Sequence, residues 1–264
     1  MPTSWTMPVG SLERWPEDYE RGRPGWPHEV VDVPSLPSTA TVLDLGAGTG
    51  KLTRLLVSTF SRVVAVEPAE AMRRLLVAIC PEAEALAGSA QQIPLADASV
   101  DAVFTAEAFH LFGGEDTLAE IARVLRPRGA LVVMWNLPAG STEPSIAAVE
   151  QFLSERGPTK DEVGYEPLDL SSVRYASGAW RLAFAESPFE ELQEARLANP
   201  QTVDRDGLVA FLASMGWIAD LPDVERLPLL DQVRSLLPAA EYRRPWETHV
   251  HWTRLAAGLQ NAPT

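Results

Sequence analysis

A carboxylate and three alternating glycines form the stretch most suited to chemistry. Asp44 stands two residues before Gly46, and Gly46, Gly48 and Gly50 follow at every second position through Ala47 and Thr49. Glycine takes positive φ and lets a ligand lie against bare peptide. A helix that starts beyond such a turn presents unpaired N–H groups to the ligand. A pyrophosphate would be repelled by Asp44, whereas a cationic ligand would be drawn to it. A second acid, Glu67, lies 17 residues after Gly50 at the end of an apolar run, placed to accept both hydroxyls of a ribose. Glu107 and His110 follow a third apolar run and offer a carboxylate and an imidazole that can steady a cation or move a proton.

The elements that must position these residues are legible from periodicity. Val42, Leu43 and Leu45 read as a strand buried on both faces. Further strands are predicted at Val63–Val66, Ala85–Ala87, Val100–Phe104 and Ala130–Trp135. Helical spacing separates them: Leu52, Leu55, Leu56 and Phe60; then Met72, Leu75, Leu76 and Ile79; then Leu118, Ile121, Ala122 and Leu125, stopped by Pro127 and Gly129. Alternating strands and helices predict an α/β fold, a doubly wound and mostly parallel sheet with helices on both faces. Ligands of such sheets sit beyond the carboxyl ends of the strands, where Asp44, Glu107, His110, Trp135 and Asn136 fall.

Before the sheet, the prolines and glycines between Tyr19 and His28 are expected to exclude a regular helix. A short helix is predicted over Pro27–Val33. Beyond the fifth strand, a helix carries Ile146, Val149, Phe152 and Leu153. A mixed stretch with Tyr165, Tyr175, Trp180 and Phe184 follows, an insertion expected to wall the acceptor pocket. Phe189–Leu197 reads as a sixth strand. Asp204 is placed to cap a helix with Leu208, Phe211, Leu212 and Met215, closed by Gly216. A helix after Pro222 is expected to turn Val224, Leu227, Leu230, Val233 and Leu237 inward. Alternation over Arg244–Leu255 predicts a last strand, with His249 and His251 on one face. Two histidines without clustered Cys or acids make a poor metal site, and none is expected.

Taken together, the motifs resemble those of the class I S-adenosylmethionine-dependent methyltransferases of the methyltransferase domain 11 type. D-x-G-x-G-x-G at Asp44–Gly50 resembles their cofactor loop. Gly88-Ser89-Ala90-Gln91 resembles G-S-A-E, with Gln91 where glutamate is frequent. Ala106-Glu107-Ala108-Phe109-His110-Leu111-Phe112 resembles A-Q-A-F-H-W-F, with Glu107 for glutamine and Leu111 for tryptophan. Arg123-Val124-Leu125-Arg126-Pro127-Arg128-Gly129 resembles the structural R-V-L-x-P-G-G turn. Tyr19 to Pro27 is similar to Y-x-x-x-R-P-x-Y-P, with Trp26 for the second tyrosine. The likeness is close over residues 19–136 and loose over 137–264.

This resemblance implies S-adenosyl-L-methionine as cofactor, a Rossmann-like seven-stranded sheet with an antiparallel last strand, and an inserted helical lid. It implies one methyltransferase domain over residues 1–264: an N-terminal lid segment to 36, a cofactor-binding half from 37 to 136, and an acceptor-side half from 137. The cofactor set is then Tyr19, Arg23, Asp44, Gly46, Ala47, Gly48, Thr49, Glu67, Pro68, Met72, Ser89, Ala90, Gln91 and Glu107. Met72 is chiefly core, with its thioether in reach of the adenine. Glu107 and His110 are the candidate catalytic residues. Trp26, Phe109, His110, Trp135 and Asn136 are the candidate acceptor pocket. The bland alternatives are an N-terminal loop pinned by its aromatics, a packed loop histidine and a backbone-bonded glutamate.

Composition bounds the function. The chain has 264 residues, is 46% hydrophobic and carries a net charge of −14, which disfavours nucleic acid or an acidic membrane as partner. No apolar run approaches the ~20 residues of a membrane span. The single Cys80 allows no internal disulfide and, with no signal-like N-terminus, suggests a cytoplasmic protein, monomeric or homodimeric. Aromatics near the expected site favour a small, partly apolar acceptor. Two other readings are open: a protein that binds S-adenosylmethionine without methyl transfer, and a nicotinamide dehydrogenase, against which Asp44 speaks.

Overall fold

The computed structural model describes residues 14–140, 143–159 and 178–257. Its centre is a seven-stranded sheet built from β1 (Thr41–Leu45), β2 (Arg62–Val66), β3 (Glu84–Leu86), β4 (Val100–Ala106), β5 (Leu125–Pro138), β6 (Gln193–Ala198) and β9 (Trp246–Arg254). The order across it is β3-β2-β1-β4-β5-β9-β6. β9 runs antiparallel to both of its neighbours, while β1 to β5 pair in parallel. The strand order reverses between β1 and β4, so a crevice opens beyond their carboxyl ends, where α/β sheets bind ligands.

Alternation along the strands fills two cores, one on each face. Leu43, Leu45, Val64, Val66, Val103, Leu131, Val133 and Trp135 face one side. Val42, Val63, Ala102, Phe104, Ala130, Val132, Met134 and Val250 face the other. Helices α2 (Thr53–Val57), α3 (Glu70–Ile79) and α5 (Glu115–Val124) join successive strands. A four-residue helix, α4 (Phe109–Phe112), lies between β4 and α5.

A third core belongs to the C-terminal half. It joins α6 (Pro144–Ser154), α7 (Arg205–Ala213), α8 (Gly216–Asp220) and α9 (Asp223–Ser235) through Ile146, Val149, Leu153, Leu208, Phe211, Ile218 and Val233. Asp204 caps α7, its Oδ1 accepting the Gly207 N–H at 2.6 Å. A two-stranded ribbon, β7 (Gln201–Asp204) with β8 (Glu241–Arg244), braces this half and has no counterpart among the predicted strands. Four mostly polar residues per strand give too short a pattern to read.

Several expectations need correction. Tyr19 lies on a regular helix, α1 (Pro16–Gly22), because Gly22, Pro24 and Gly25 end the helix rather than interrupt it. The short helix expected over Pro27–Val33 is a single 3-10 turn, His28–Val31. Gly216 opens α8; α7 ends before it, with Ser214 as its C-cap. On α9, Leu230 and Val233 are buried, but Val224 and Leu227 are 81% and 55% exposed. Strict spacing by three drifts ~60° per step on a helix of 3.6 residues per turn, so Val224 ends roughly opposite Val233. The helical lid is not seen among the described residues: α6 packs on α7, Trp180 and Phe184 join the core around Phe109, and Tyr165 and Tyr175 lie outside the described residues, as do residues 1–11. Among the described residues no helix is long and apolar enough to cross a membrane.

Candidate active site

The turn after β1 is built as its glycines require. Gly46, Gly48 and Gly50 take φ of 75°, 57° and 90°. A Cβ on Gly46 would also stand 2.8 Å from the Ala108 Cβ. The Gly46 and Ala47 N–H groups donate to the Val66 carbonyl at 2.9 and 3.1 Å, tying the loop to β2. Glu67, at the end of β2, completes the frame: Oε2 accepts the Gly48 N–H at 2.8 Å and Oε1 the Ala69 N–H at 2.8 Å.

Asp44 is 1% exposed at the end of β1. Its Oδ2 accepts the Thr53 hydroxyl at 2.7 Å, while its Oδ1 is buried without a hydrogen-bond partner. Burial pushes its pKa up to about 7, against the Thr53 hydrogen bond and with help from the Glu67 charge. Glu107 follows β4 in a left-handed conformation, φ 53°. Its N–H donates to the Met134 carbonyl at 2.9 Å and its Oε1 accepts the Asn136 N–H at 2.7 Å. Burial pushes this carboxyl to about 7 as well, opposed by the Asn136 N–H and the Arg23 charge.

Helix α1 lies across the same crevice. Glu20 anchors it: Oε2 accepts the Thr49 hydroxyl at 2.5 Å and Oε1 meets Arg54 at 2.7 Å, with Lys51 at 3.8 Å. Arg23, just after α1, donates to the Ser214 hydroxyl and carbonyl at 2.8 and 2.9 Å. Its guanidinium carbon sits 5.5 Å from the centre of the Tyr19 ring and 5.3 Å from that of Phe211. Burial chiefly, and then the nearby glutamates, push the Tyr19 phenol up to about 12, while Arg23 opposes them. The chain beyond is pinned at Gly25. Its carbonyl accepts from Asn136, Asn199 and Gln201 side-chain amides at 3.1, 2.9 and 3.1 Å. Asn136 Oδ1 in turn accepts Thr248 and Asn199 donors at 2.5 and 3.0 Å.

These elements line a cleft with about 550 Å³ of empty space, open solvent included. Of the residues singled out in the sequence, Tyr19, Arg23, Trp26, Asp44, Gly46, Ala47, Glu107 and Asn136 line it. Gly48, Thr49 and Glu67 belong to its hydrogen-bonded frame. Others stand elsewhere. Met72 is buried core and Pro68 is exposed. Ala90 is packed in the core, Ser89 is half-buried, and Gln91 lines a separate opening with Phe112 and Thr117. Phe109 and Trp135 are fully buried among Trp180 and Phe184. Strand pleating explains Trp135: its neighbour Asn136 takes the cleft side, so Trp135 takes the other. His110 follows Trp135, its Nδ1 accepting the indole N–H at 3.1 Å, and does not line the cleft.

Six lining residues were not singled out as site residues: Pro24, Lys51, Leu52, Ala106, Phe211 and Trp246. Lys51 directly follows Gly50, a place that alone would have flagged it; burial lowers its pKa and Glu20 opposes the shift. Leu52 lies next to it and reads only as core. Phe211 and Trp246 come from the distant C-terminal half, and no local pattern separates them from packing residues. Lys51 and Arg23 beside Asp44 and Glu107 give the cleft both signs of charge, which suits a zwitterion carrying an extra cationic centre.

A model of the methyltransferase domain, Methyltransf_11, matches residues 43–133. An uncharacterized methyltransferase of Mycobacterium bovis is 37% identical over 220 residues, covering 83% of this chain and 82% of the relative. An uncharacterized methyltransferase of Schizosaccharomyces pombe is 32% identical over 233 residues, 85% of this chain and 87% of the relative. Among solved structures, a protein described as a type II methyltransferase from Anaeromyxobacter dehalogenans superposes with a TM-score of 0.64 at 23% identity, covering 88% of this chain and 98% of that one. Motif, fold and relatives agree, and the chain belongs to the S-adenosylmethionine-dependent methyltransferases.

Proposed function

We propose that the cleft beyond β1 and β4 binds S-adenosylmethionine and that the enzyme methylates a small, partly apolar molecule. The observation that carries this reading is Asp44 Oδ1, a buried carboxylate oxygen with no hydrogen-bond partner at the glycine loop. Buried carboxylates are ordinarily paired, and a ligand ammonium supplies the missing donors. Arg23 and Lys51 suit the ligand's carboxylate. Glu67 suits the ribose hydroxyls, since a carboxylate oxygen accepts more than one hydrogen bond. Pro68, Met72, Ser89, Ala90 and Gln91 are proposed for the adenine side.

The cofactor supplies an activated methyl group, and this chain's residues supply alignment. Holding two reactants in register is worth ~7–11 kcal/mol of barrier. Trp26, Phe211 and Trp246 give the cleft apolar walls, while Glu107 faces it as the candidate proton acceptor for a hydroxyl nucleophile. His110, the second candidate in the sequence, stands outside the cleft against Trp135, which leaves Glu107 as the group placed for this role.

Titration calorimetry with S-adenosylmethionine tests the binding. Wild type is expected to bind, and Asp44→Ala to lose at least about tenfold in affinity; equal affinities would end this account. A screen of small acceptors, read by mass spectrometry for S-adenosylhomocysteine, tests the transfer. Cofactor binding without that product across the screen would favour a non-catalytic binding protein.

A further inference from the structure

Behind Phe211 the C-terminal half holds a second cavity of about 380 Å³ of empty space, partly open to solvent, separate from the cleft but sharing Phe211 as a wall. Ile146, Val149 and Leu153 of α6 line one side, Leu208 and Leu212 of α7 the other. One cationic group interrupts this apolar lining. Arg244, the last residue of β8, is 9% exposed and lines the cavity.

Among the described residues the Arg244 guanidinium forms no hydrogen bond and no ion pair. It rests on aromatic faces, with its carbon 4.9 Å from the Phe211 ring centre and 5.2 Å from that of Trp246. Arginine cannot shed its proton to relieve burial, and buried charges are ordinarily paired. The acid facing it is Glu150, exposed on α6 at the cavity's edge and outside ion-pair distance. A planar cationic fork at the end of an aliphatic slot matches a carboxylate with an apolar tail. The Glu150 charge at the edge favours a monoanion over a phosphate.

We propose that this cavity is a binding site for an aliphatic monocarboxylate, with Arg244 holding the carboxylate and α6 and α7 sheathing the chain. Binding at this cavity does not depend on methyl transfer in the cleft.

Titration calorimetry with octanoate, octan-1-ol, acetate and octyl phosphate tests it on the full chain. Octanoate is expected to bind wild type more tightly than the other three. Arg244→Leu is expected to weaken octanoate by about tenfold or more and to leave octan-1-ol unchanged. Replacing a buried unpaired charge with an apolar residue is often neutral or stabilising, so this variant should keep its fold, as circular dichroism would show. Glu150→Gln, on the surface, is expected to tighten octanoate severalfold. No saturable octanoate binding to wild type, equal affinity for Arg244→Leu, or tighter binding of octyl phosphate would each overturn the proposal.

Discussion

The Glu67 carboxylate and the Gly48 N–H, 2.8 Å apart, lock the glycine loop to the end of the second strand. The other carboxylate oxygen takes the Ala69 N–H, so one side chain fixes the loop and the start of α3 together. Glu67→Gln offers one acceptor where two N–H donors converge. Chemical denaturation should show a loss of about 1–3 kcal/mol, and calorimetry at least a tenfold weaker S-adenosylmethionine complex. An unchanged denaturation midpoint would show that the loop holds its shape without this anchor.

Asp44 and Glu107 make the free enzyme's stability depend on pH. Their folded pKa values, about 7, lie above the 3.8 and 4.5 of exposed groups. The folded state then binds more protons than the unfolded state in between. Their contribution to stability is greatest at low pH, falls as pH rises from about 4 to about 7, and levels off above. Each group can contribute a slope of at most about 1.4 kcal/mol per pH unit. Melting temperatures measured from about pH 5 to about pH 8 should fall less steeply in Asp44→Asn than in wild type. A parallel pair of curves would mean that Asp44 does not titrate in this window.

Binding of a cation should show the opposite trend. Ionised Asp44 attracts the ligand and protonated Asp44 does not, so S-adenosylmethionine affinity should rise with pH up to about 7. Asp44→Asn should bind weakly at every pH and lose most of this slope. The check is calorimetry at a series of pH values, and a wild-type affinity that is flat with pH would refute the cation-binding role assigned to this carboxylate.

Asn136 joins the sheet to the chain that follows α1. Its amide donates to the Gly25 carbonyl at 3.1 Å and accepts from Thr248 and Asn199. Asn136→Leu strands those buried donors, at a cost of about 1–3 kcal/mol. Hydrogen exchange should speed up at Gly25 and Trp26 in this variant while the β1 amides stay protected. Uniform exchange across both segments would indicate global destabilisation instead.

Gly22 sits where α1 meets α7. A Cβ there would lie 2.0 Å from the Phe211 backbone nitrogen, and rigid backbone cannot yield as a side chain can. Gly22→Ala should push α1 off α7, breaking the Arg23 contacts with Ser214. Limited proteolysis should then cut near α1, well below the melting temperature of the rest. Wild-type resistance to cleavage would show that the helices can separate enough to admit the methyl group.

The sequence by itself determined the alternating strands and helices from β1 to β5. Its buried strands are apolar runs, its helices repeat at 3.6 residues, and Asp44, Glu67 and Glu107 sit at strand ends, so local periodicity fixes both element and place. Tertiary structure alone decided the rest. Phe211 and Trp246 reach the cleft from the C-terminal half, far along the chain from the glycine loop, and their local pattern is that of any core aromatic. The α1 helix depends on Glu20 reaching Arg54 and Arg23 reaching Ser214, contacts that no periodicity encodes. Trp135 and Asn136 show the division most plainly. Sequence placed both at the end of β5, but pleating sends adjacent side chains to opposite faces, and only the packed sheet decides which face is the cleft.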